Sequence, residues 1–251
     1  MDLRGKVAFV TGGSGDVGTA IAQALAGAAA DVAISYVGHR DGAQATAEAI
    51  ERAGQRSLIV QLDQRDPDAV DNAPRAILDA LGRVDILINN AAWNIGIPFA
   101  ALDELTPEIW NRVHETNLRG PYLLCRAFAP HLRAHGTGRI VNIASVGGLR
   151  PSSSSIAYSA SKAGLIHLTR CLAVALAPSV TVNCVAPGLI EGTRIAQRLP
   201  PAVAQSARDQ AVLGRTASVD DIAAQVLTFC RAESITGQVL VVDGGMPGAM
   251  H

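Results

Sequence analysis

The 251-residue sequence lacks an excess of charge of either sign. It contains 21 lysine and arginine residues against 22 aspartate and glutamate residues, which gives a formal net charge of −1. A chain without a strong positive field has little long-range attraction for nucleic acid or for an anionic membrane. We therefore expect neither a nucleic-acid partner nor a membrane partner.

Paired cysteines and long apolar runs are also missing. The four cysteines are widely spaced and form no C-x-x-C pair, so neither a zinc knuckle nor a disulfide framework is indicated, and we expect buried thiols in a reducing cytoplasm. No uninterrupted apolar stretch is long enough to span a bilayer. The histidines on predicted helices are scattered, and we assign no metal site. These residues are Cys125, Cys171, Cys184 and Cys230, and His114, His131, His135 and His167.

Short apolar runs recur along the chain, with stretches between them that are long enough for helices. Continuous runs, in place of period-two alternation, are typical of strands covered on both faces. They predict an α/β fold: a Rossmann-type, doubly wound parallel sheet of seven strands flanked by helices in three layers. The predicted strands are Val7–Val10, Val32–Ile34, Leu58–Val60, Ile86–Ile88, Ile140–Ile143, Val180–Val182 and Val239–Val242, and the predicted helices are Val17–Ala29, Gly42–Ala53, Pro67–Leu81, Pro107–His135, Ala157–Ala177 and Val219–Arg231.

No Pro/Gly/Ser-rich linker or charge block divides the chain, so we expect one domain over residues 1–251. Residues 188–215 interrupt the alternation of strands and helices. This segment contains Pro200-Pro201, Gly192 and Gly214 and is longer than an ordinary connection. It is predicted to be a substrate loop or lid.

A glycine-rich turn follows the first strand and precedes a helix. Glycines allow backbone N–H groups to approach a pyrophosphate, and the helix N-terminus adds partial positive charge. Such turns also serve plain packing, but the strand before this one and the helix after it favour a dinucleotide site. Its predicted cofactor-binding residues are Gly12, Ser14, Gly15, Asp16, Val17 and Gly18.

The second strand ends without the acidic residue that an NAD site generally uses to bind the ribose hydroxyls. Ser35, His39 and Arg40 stand there instead and could hold a 2′-phosphate. We therefore favour NADP(H), with NAD(H) as the alternative if Arg40 is only a solvated residue. Asp63, at the end of the third strand, is a candidate partner for the adenine amino group, or else a cap for the helix near Pro67.

A tyrosine and a lysine four residues apart, Tyr158 and Lys162, share one helical face. A phenol has an ordinary pKa of ~10, and an ammonium about 4 Å away could lower that pKa by up to ~3 units, into a useful range for proton transfer. Ser145 follows the strand Ile140–Ile143 at the edge of the sheet where ligands bind. Its hydroxyl can donate a hydrogen bond to a carbonyl oxygen.

These features together resemble the short-chain dehydrogenase/reductase family, in the single-domain branch that includes 3-oxoacyl-carrier-protein reductases. The resemblance extends from Lys6 to Gly245, and Ser145 precedes Tyr158 by the family's usual thirteen positions (158 − 145). The motifs that carry it are Thr11-Gly12 with Gly18, Asp63, Asn89-Asn90-Ala91, Asn117, Ser145, Tyr158 with Lys162, Asn183 and Pro187-Gly188.

The resemblance implies a role for each matching residue. Tyr158 would be the general acid in carbonyl reduction. Lys162 would hold the nicotinamide ribose and depress the pKa of Tyr158, and Ser145 would orient the carbonyl. Asn117 would support a water relay to Lys162 through its backbone carbonyl, or lie in a helix kink, and both can hold. Further cofactor contacts are expected at Asn90, Ala91, Ala92, Pro187, Gly188, Ile190 and Thr193, and substrate contacts at Trp93, Asn94, Ser145, Val146 and Leu189.

Two positions depart from the family pattern. Asp16 stands where the family has the middle glycine of the turn, so its carboxylate must turn away from a pyrophosphate or cap the helix. Ala92 replaces a further glycine and either narrows the passage beside the nicotinamide or shifts the next loop.

The predicted function is reduction of a ketone or 3-oxoacyl-type carbonyl to a secondary alcohol. An NAD-dependent secondary-alcohol or sugar dehydrogenase is the main alternative, and a cofactor-binding regulatory protein without activity is another. The resemblance implies a homotetramer or homodimer, and we expect a cytoplasmic location.

Overall fold

A computed structural model describes residues 1–151 and 154–247, and within these ranges the chain forms seven β-strands and eight α-helices. A π-helical turn, Glu115–Arg119, joins two of the helices. The strands are β1 (Val7–Val10), β2 (Asp31–Tyr36), β3 (Ser57–Gln61), β4 (Ile86–Asn89), β5 (Gly138–Ile143), β6 (Val180–Pro187) and β7 (Val239–Val242). The helices are α1 (Asp16–Gly27), α2 (Arg40–Arg52), α3 (Pro67–Leu81), α4 (Pro107–His114), α5 (Gly120–Arg133), α6 (Ile156–Leu176), α7 (Pro201–Gln210) and α8 (Val219–Arg231).

All seven strands are parallel and lie in the order β3-β2-β1-β4-β5-β6-β7. The predicted seven-stranded, doubly wound parallel sheet is therefore confirmed. The direction of winding reverses between β1 and β4, and in such sheets a crevice opens at that point, beyond the carboxyl ends of the strands. This crevice is the expected place for a ligand.

Two apolar layers cover the sheet, one on each face. Alternate residues of β1 point to opposite faces: Ala8 and Val10 pack with α1, α2 and α8, whereas Val7 and Phe9 pack with α3, α5 and α6. Because both faces are buried, the strands consist of continuous apolar runs, which is why those runs predicted the fold.

Side-chain caps fix the starts of several helices. Asp66 accepts hydrogen bonds from the backbone N–H groups of Asp68 and Ala69 at the start of α3. Ser218 and Asp221 form a reciprocal capping box at the start of α8. Such caps pair backbone donors that the first helical turn leaves free.

The structure differs from the sequence prediction in two helical regions. The predicted helix Pro107–His135 is divided by the π-helical turn, and the predicted lid contains α7 and a short 3₁₀ turn, Ala196–Arg198. One cysteine also differs, since Cys171 is exposed whereas the other three are buried. No helix in residues 1–151 and 154–247 combines the length and apolarity needed to cross a membrane.

Candidate active site

Ser145 follows β5 at the carboxyl edge of the sheet. Its side-chain oxygen accepts a hydrogen bond from the Gly147 backbone N–H at 3.1 Å, and this contact caps the short 3₁₀ turn Val146–Gly148. Val146 and Gly147 are buried beside it. The turn therefore fixes the direction of the Ser145 hydroxyl, which also hydrogen-bonds to Tyr158.

Tyr158 and Lys162 lie in the first two turns of α6, as their spacing predicted. Ser155 caps this helix by accepting a hydrogen bond from the Tyr158 backbone N–H at 3.1 Å. The Lys162 Nζ donates to the Ile143 carbonyl oxygen at 2.8 Å and lies 5.7 Å from the centroid of the Tyr158 ring. The end of β5 and the start of α6 thus bring together three of the four predicted catalytic residues, Ser145, Tyr158 and Lys162.

The pKa values in this site do not follow the sequence expectation. Burial raises the pKa of the Tyr158 phenol, and the hydrogen bond with Ser145 lowers it by less. Burial also lowers the pKa of the Lys162 ammonium to about 8. The expected lowering of the phenol's pKa by Lys162 is therefore not met in this structure. The physical reason is that burial of the phenol has the largest effect on its pKa, and that Lys162 directs its Nζ to the Ile143 carbonyl oxygen.

Asn117 lies within the π-helical turn and is fully buried. Its Oδ1 accepts from the Trp93 backbone N–H at 2.8 Å, and its Nδ2 donates to the Trp93 carbonyl oxygen at 2.9 Å and to Ser161 Oγ at 3.2 Å. The side chain therefore holds the loop after β4 against α6. π-Helical turns of this kind are frequent at functional sites.

The glycine turn has the tight shape that a dinucleotide site needs. Gly12 has a φ of +67°, and a Cβ at Gly18 would lie 2.2 Å from the Gly12 carbonyl oxygen. Gly15 caps α1 with its backbone, and Val17 follows in the first helical turn. Only glycine allows this approach between turn and helix, so the turn fits a pyrophosphate group.

The segment Asn90–Ala92 lies beside this turn. The backbone N–H groups of Asn90 and Ala91 both donate to Thr11 Oγ1 at 3.0 Å, and Asn90 Nδ2 donates to the Thr11 carbonyl oxygen at 2.8 Å. Ala92 is exposed and, unlike Ala29, it is not among the described non-glycine residues with positive φ. Ala92 therefore fits this loop without a left-handed backbone conformation.

The residues at the ends of β2 and β3 differ in their placement. Ser35 is buried, and its Oγ accepts from the Gly12 backbone N–H at 3.2 Å, so the structure places it under the turn and not facing a phosphate, which corrects the expectation. His39 and Arg40 are exposed at the start of α2.

Asp63 accepts from Arg65 at 2.6 Å and 3.0 Å, and this contact lowers the pKa of the Asp63 carboxyl. Asp66, and not Asp63, caps the following helix.

The segment after β6 forms the start of the predicted lid. Gly188 donates its backbone N–H to the Val242 carbonyl oxygen at 2.9 Å, directly after Pro187 ends β6. Leu189 is half-buried, and Ile190 bridges to Ala217. The Thr193 hydroxyl is buried and donates to the Ile190 carbonyl oxygen at 2.9 Å, so this hydroxyl stabilises the turn of the loop itself.

The predicted substrate residues Trp93 and Asn94 lie in the loop after β4. The Arg112 guanidinium lies 4.2 Å from the centroid of a Trp93 ring. Asn94 Oδ1 accepts from Ser154 Oγ at 2.5 Å, which ties this loop to the segment that precedes Tyr158. Loop and catalytic helix are therefore connected across the site.

The sequence analysis missed one residue of the site, Arg194. It forms an ion pair with Asp16 across the crevice, with Nε 3.3 Å from Oδ1. The Asp16 carboxylate thus turns toward the lid and makes no side-chain cap. The signal that could have found this pair was an unexplained acid in the turn and a cation directly after Thr193.

Comparisons with known proteins agree with this geometry. A family model described as enoyl-(acyl carrier protein) reductase matches residues 14–247. A Streptomyces violaceoruber protein with the provisional name granaticin polyketide synthase ketoacyl reductase 2 is 38% identical over 241 residues, which cover 95% of each chain.

Two solved structures show the same fold. A short-chain dehydrogenase from Burkholderia cenocepacia J2315, in complex with NADP, is 38% identical with a TM-score of 0.90, and the match covers 98% of this chain and 99% of that one. An NAD⁺-bound xylitol dehydrogenase is 25% identical with a TM-score of 0.91, and the match covers 98% of this chain and 100% of that one. Given the extent of these matches, this protein belongs to the short-chain dehydrogenase/reductase family and is a nicotinamide-dependent oxidoreductase.

Proposed function

We propose that the protein reduces a ketone or a 3-oxoacyl-type carbonyl to a secondary alcohol with NADPH, and that Tyr158 is the proton donor. The observation that carries this proposal is the meeting of Tyr158, Lys162 and Ser145 at the carboxyl end of β5. A non-catalytic binding protein has no use for a phenol that is hydrogen-bonded to a second hydroxyl beside a buried lysine, so the regulatory alternative is disfavoured.

The proposed mechanism assigns one task to each side chain. NADPH, when bound, supplies the hydride. Ser145 donates a hydrogen bond to the carbonyl oxygen and orients it, and the Tyr158 hydroxyl transfers its proton to that oxygen as negative charge develops there. Lys162, whose Nζ lies 5.7 Å from the centroid of the Tyr158 ring, would hold the nicotinamide ribose.

Asn117 would support this group through the loop after β4. Because its side chain binds both backbone groups of Trp93, it sets the position of the loop that borders the substrate. We propose that it acts as a positioning residue and that its backbone carbonyl takes part in a water relay to Lys162.

The residues of the crevice support NADPH in preference to NADH. Residues 37–40, directly after β2, contain no acid, and the exposed His39 and Arg40 stand where the adenosine ribose is recognised in such sheets. The glycine turn and Asn90–Ala92 would hold the pyrophosphate and the nicotinamide side, with Pro187–Thr193 above them. The NADP complex of the Burkholderia relative supports this choice, and the NAD⁺-bound xylitol dehydrogenase leaves NAD(H) as the alternative cofactor.

We base the proposed substrate class on the residues predicted to line the substrate pocket. Val146 and Leu189 are apolar, and Trp93 and Asn94 add one aromatic and one neutral polar side chain. We propose a neutral ketone or a β-keto ester or thioester, in agreement with the ketoacyl reductase name of the Streptomyces relative.

A cofactor and substrate panel tests this function. The protein is mixed with NADPH or NADH and a set of ketones and 3-oxoacyl thioesters, and the nicotinamide absorbance is followed. We expect turnover chiefly with NADPH. Turnover with NADH alone would contradict the cofactor assignment, and turnover of sugar alcohols with NAD⁺ in the absence of ketone reduction would favour the sugar dehydrogenase.

We further propose that the chain is a single domain with residues 188–215 as its lid, that it works in the cytoplasm, and that it forms a homotetramer or homodimer. Exposed apolar side chains on α4, α5 and α6, namely Trp110, Tyr122 and Val174, support a contact between copies of the chain. Size-exclusion chromatography with light scattering measures the oligomeric state of the protein. A monomer would contradict the proposed assembly.

A further inference from the structure

We infer that Arg194, positioned by Asp16, binds the 2′-phosphate of NADPH and thereby determines the choice between the two nicotinamide cofactors. This inference rests on the proposed function. It assigns a ligand-binding role to a lid residue and gives a reason for the acid that occupies a glycine position of the turn.

Asp16 holds Arg194 at two points. The backbone N–H of Arg194 donates to Asp16 Oδ2 at 2.8 Å, and Arg194 Nε lies 3.3 Å from Oδ1. The contact joins the lid to the first turn of α1. The Arg194 side chain is 52% exposed and that of Asp16 is 35% exposed, so a ligand in the crevice can reach the guanidinium.

The other end of the guanidinium points toward the residues that follow β2. Arg194 Nη2 donates to the Ser14 carbonyl oxygen at 3.1 Å, and His39 Nδ1 donates to the same oxygen at 3.1 Å. Arg194 Nη1 lies 3.5 Å from His39 Nδ1, and Arg40 is the next residue along the chain. Two nitrogen-bearing side chains, those of Arg194 and His39, therefore lie together at the place where the ribose of a dinucleotide is recognised.

Some N–H groups of Arg194 hold its side chain in place, and the others are left to bind a phosphate. A guanidinium carries five N–H groups in a rigid fork, and the contacts with Asp16 and Ser14 leave N–H groups on both terminal nitrogens. These remaining groups match a phosphate, which arginine can bind through two parallel hydrogen bonds. Asp16 is thus a positioning residue, and Arg194 is the residue that contacts the cofactor.

Binding of adenosine nucleotides that differ only in the 2′-phosphate tests this role without relying on catalysis. Titration calorimetry on the full chain measures the affinities for 2′,5′-ADP, 5′-AMP, NADP⁺ and NAD⁺. For Arg194→Ala we expect the affinities for 2′,5′-ADP and NADP⁺ to fall about tenfold or more, as is typical for loss of a hydrogen bond between charged groups, while those for 5′-AMP and NAD⁺ stay within about twofold. Arg198→Ala, which alters another exposed arginine of the same lid, should change none of the four affinities.

A double-mutant cycle tests the part played by Asp16. Asp16→Ala should weaken 2′,5′-ADP several-fold, and the double variant should bind no more weakly than Arg194→Ala alone, because Asp16 acts through Arg194. Additive losses would overturn the positioning role. Equal losses for NADP⁺ and NAD⁺ in Arg194→Ala, or no loss for either, would overturn the inference. Wild-type protein that binds 2′,5′-ADP no more tightly than 5′-AMP would contradict the proposed NADPH preference itself.

Discussion

The Tyr158 hydroxyl and the Ser145 hydroxyl share a hydrogen bond, and both residues are half-buried. Tyr158→Phe removes only the phenolic oxygen, so we expect kcat for ketone reduction to fall by about 10²- to 10⁴-fold, the range typical of a lost general acid, with the Kd for NADPH unchanged. Steady-state kinetics and cofactor titration measure both quantities. Tyr122→Phe is the matched control, because that tyrosine is exposed on α5. A fully active Tyr158→Phe variant would exclude the mechanism.

Lys162 predicts a dependence of stability on pH. Its pKa is about 8 in the folded protein against 10.5 for the free side chain, so the folded state loses this proton first as pH rises. Below pH 8 both states hold the proton and the folded protein carries a buried charge; between about pH 8 and 10.5 that penalty disappears. Compared with Lys162→Met, the wild-type free energy of unfolding should therefore rise across this window, by at most on the order of 3 kcal/mol. Urea unfolding of both proteins at pH 7 and about pH 10 measures this difference. If the difference in unfolding free energy between the two proteins is the same at both pH values, the pKa of Lys162 is not lowered in the folded state.

At the scale of elements, the contact between the glycine turn and α1 depends on one missing side chain. A Cβ at position 18 would lie 2.2 Å from the Gly12 carbonyl oxygen and 2.8 Å from Asn90 Nδ2, whereas a Cβ at Gly27, in the same helix, meets nothing within 4 Å. We expect Gly18→Ala to lose about 1–3 kcal/mol of unfolding free energy through overpacking and to weaken NADPH binding. Gly27→Ala should be neutral or slightly stabilising. Equal effects of the two substitutions in urea unfolding and cofactor titration would refute this interpretation.

The π-helical turn and the loop after β4 are connected through one amide. Asn117→Ala leaves the backbone N–H and carbonyl of Trp93 without these partners, which should cost about 1–3 kcal/mol of unfolding free energy and loosen the loop beside the substrate. We therefore expect a higher KM for ketones and a lower Tm. Asn111→Ala on the exposed face of α4 is the control. An unchanged KM would limit Asn117 to a structural role.

Elements with strong local signals were predicted with their observed bounds. The strands β1 and β7 are short apolar runs, and α3 and α8 begin at side-chain caps, so neighbouring residues define each of them. The helix α7 gave no such signal because none of its residues is buried, and an apolar stripe is what identifies a helix in a sequence. The π-helical turn depends on the contact of Asn117 with Trp93, 24 positions away, which local patterns do not show.

The residues of the candidate site also divide into those that a local sequence pattern predicts and those that it does not. The pair Tyr158 and Lys162 was evident because a helix brings residues at this spacing onto one face. The pair Asp16 and Arg194 was missed because its members are 178 positions apart and meet only in the folded chain. Ser35 was assigned to the phosphate because it carries a hydroxyl at the end of the second strand, where the acid of an NAD site is missing, whereas its Oγ accepts a hydrogen bond from the Gly12 backbone N–H.

For the whole molecule, one continuous sheet joins the cofactor half to the catalytic half through the pairing of β1 with β4. We therefore predict a single cooperative unfolding transition, and we expect a ligand bound in the crevice to shift that transition as one unit. At a concentration of NADP⁺ near 100 times its Kd, the stabilisation is ~2.7 kcal/mol, which corresponds to a Tm higher by about 5–10 °C for a chain of this size.

Scanning calorimetry of the free protein and of the protein with equal concentrations of NADP⁺ or NAD⁺ measures these shifts. We expect NAD⁺ to give the smaller shift, because the stabilisation depends on the ratio of ligand concentration to Kd and NAD⁺ lacks the 2′-phosphate. Arg194→Ala should bring the two shifts together, whereas Arg198→Ala should keep them apart. Two separate transitions, of which NADP⁺ moves only one, would contradict the single domain, since the strands on either side of the β1–β4 pairing would then unfold independently.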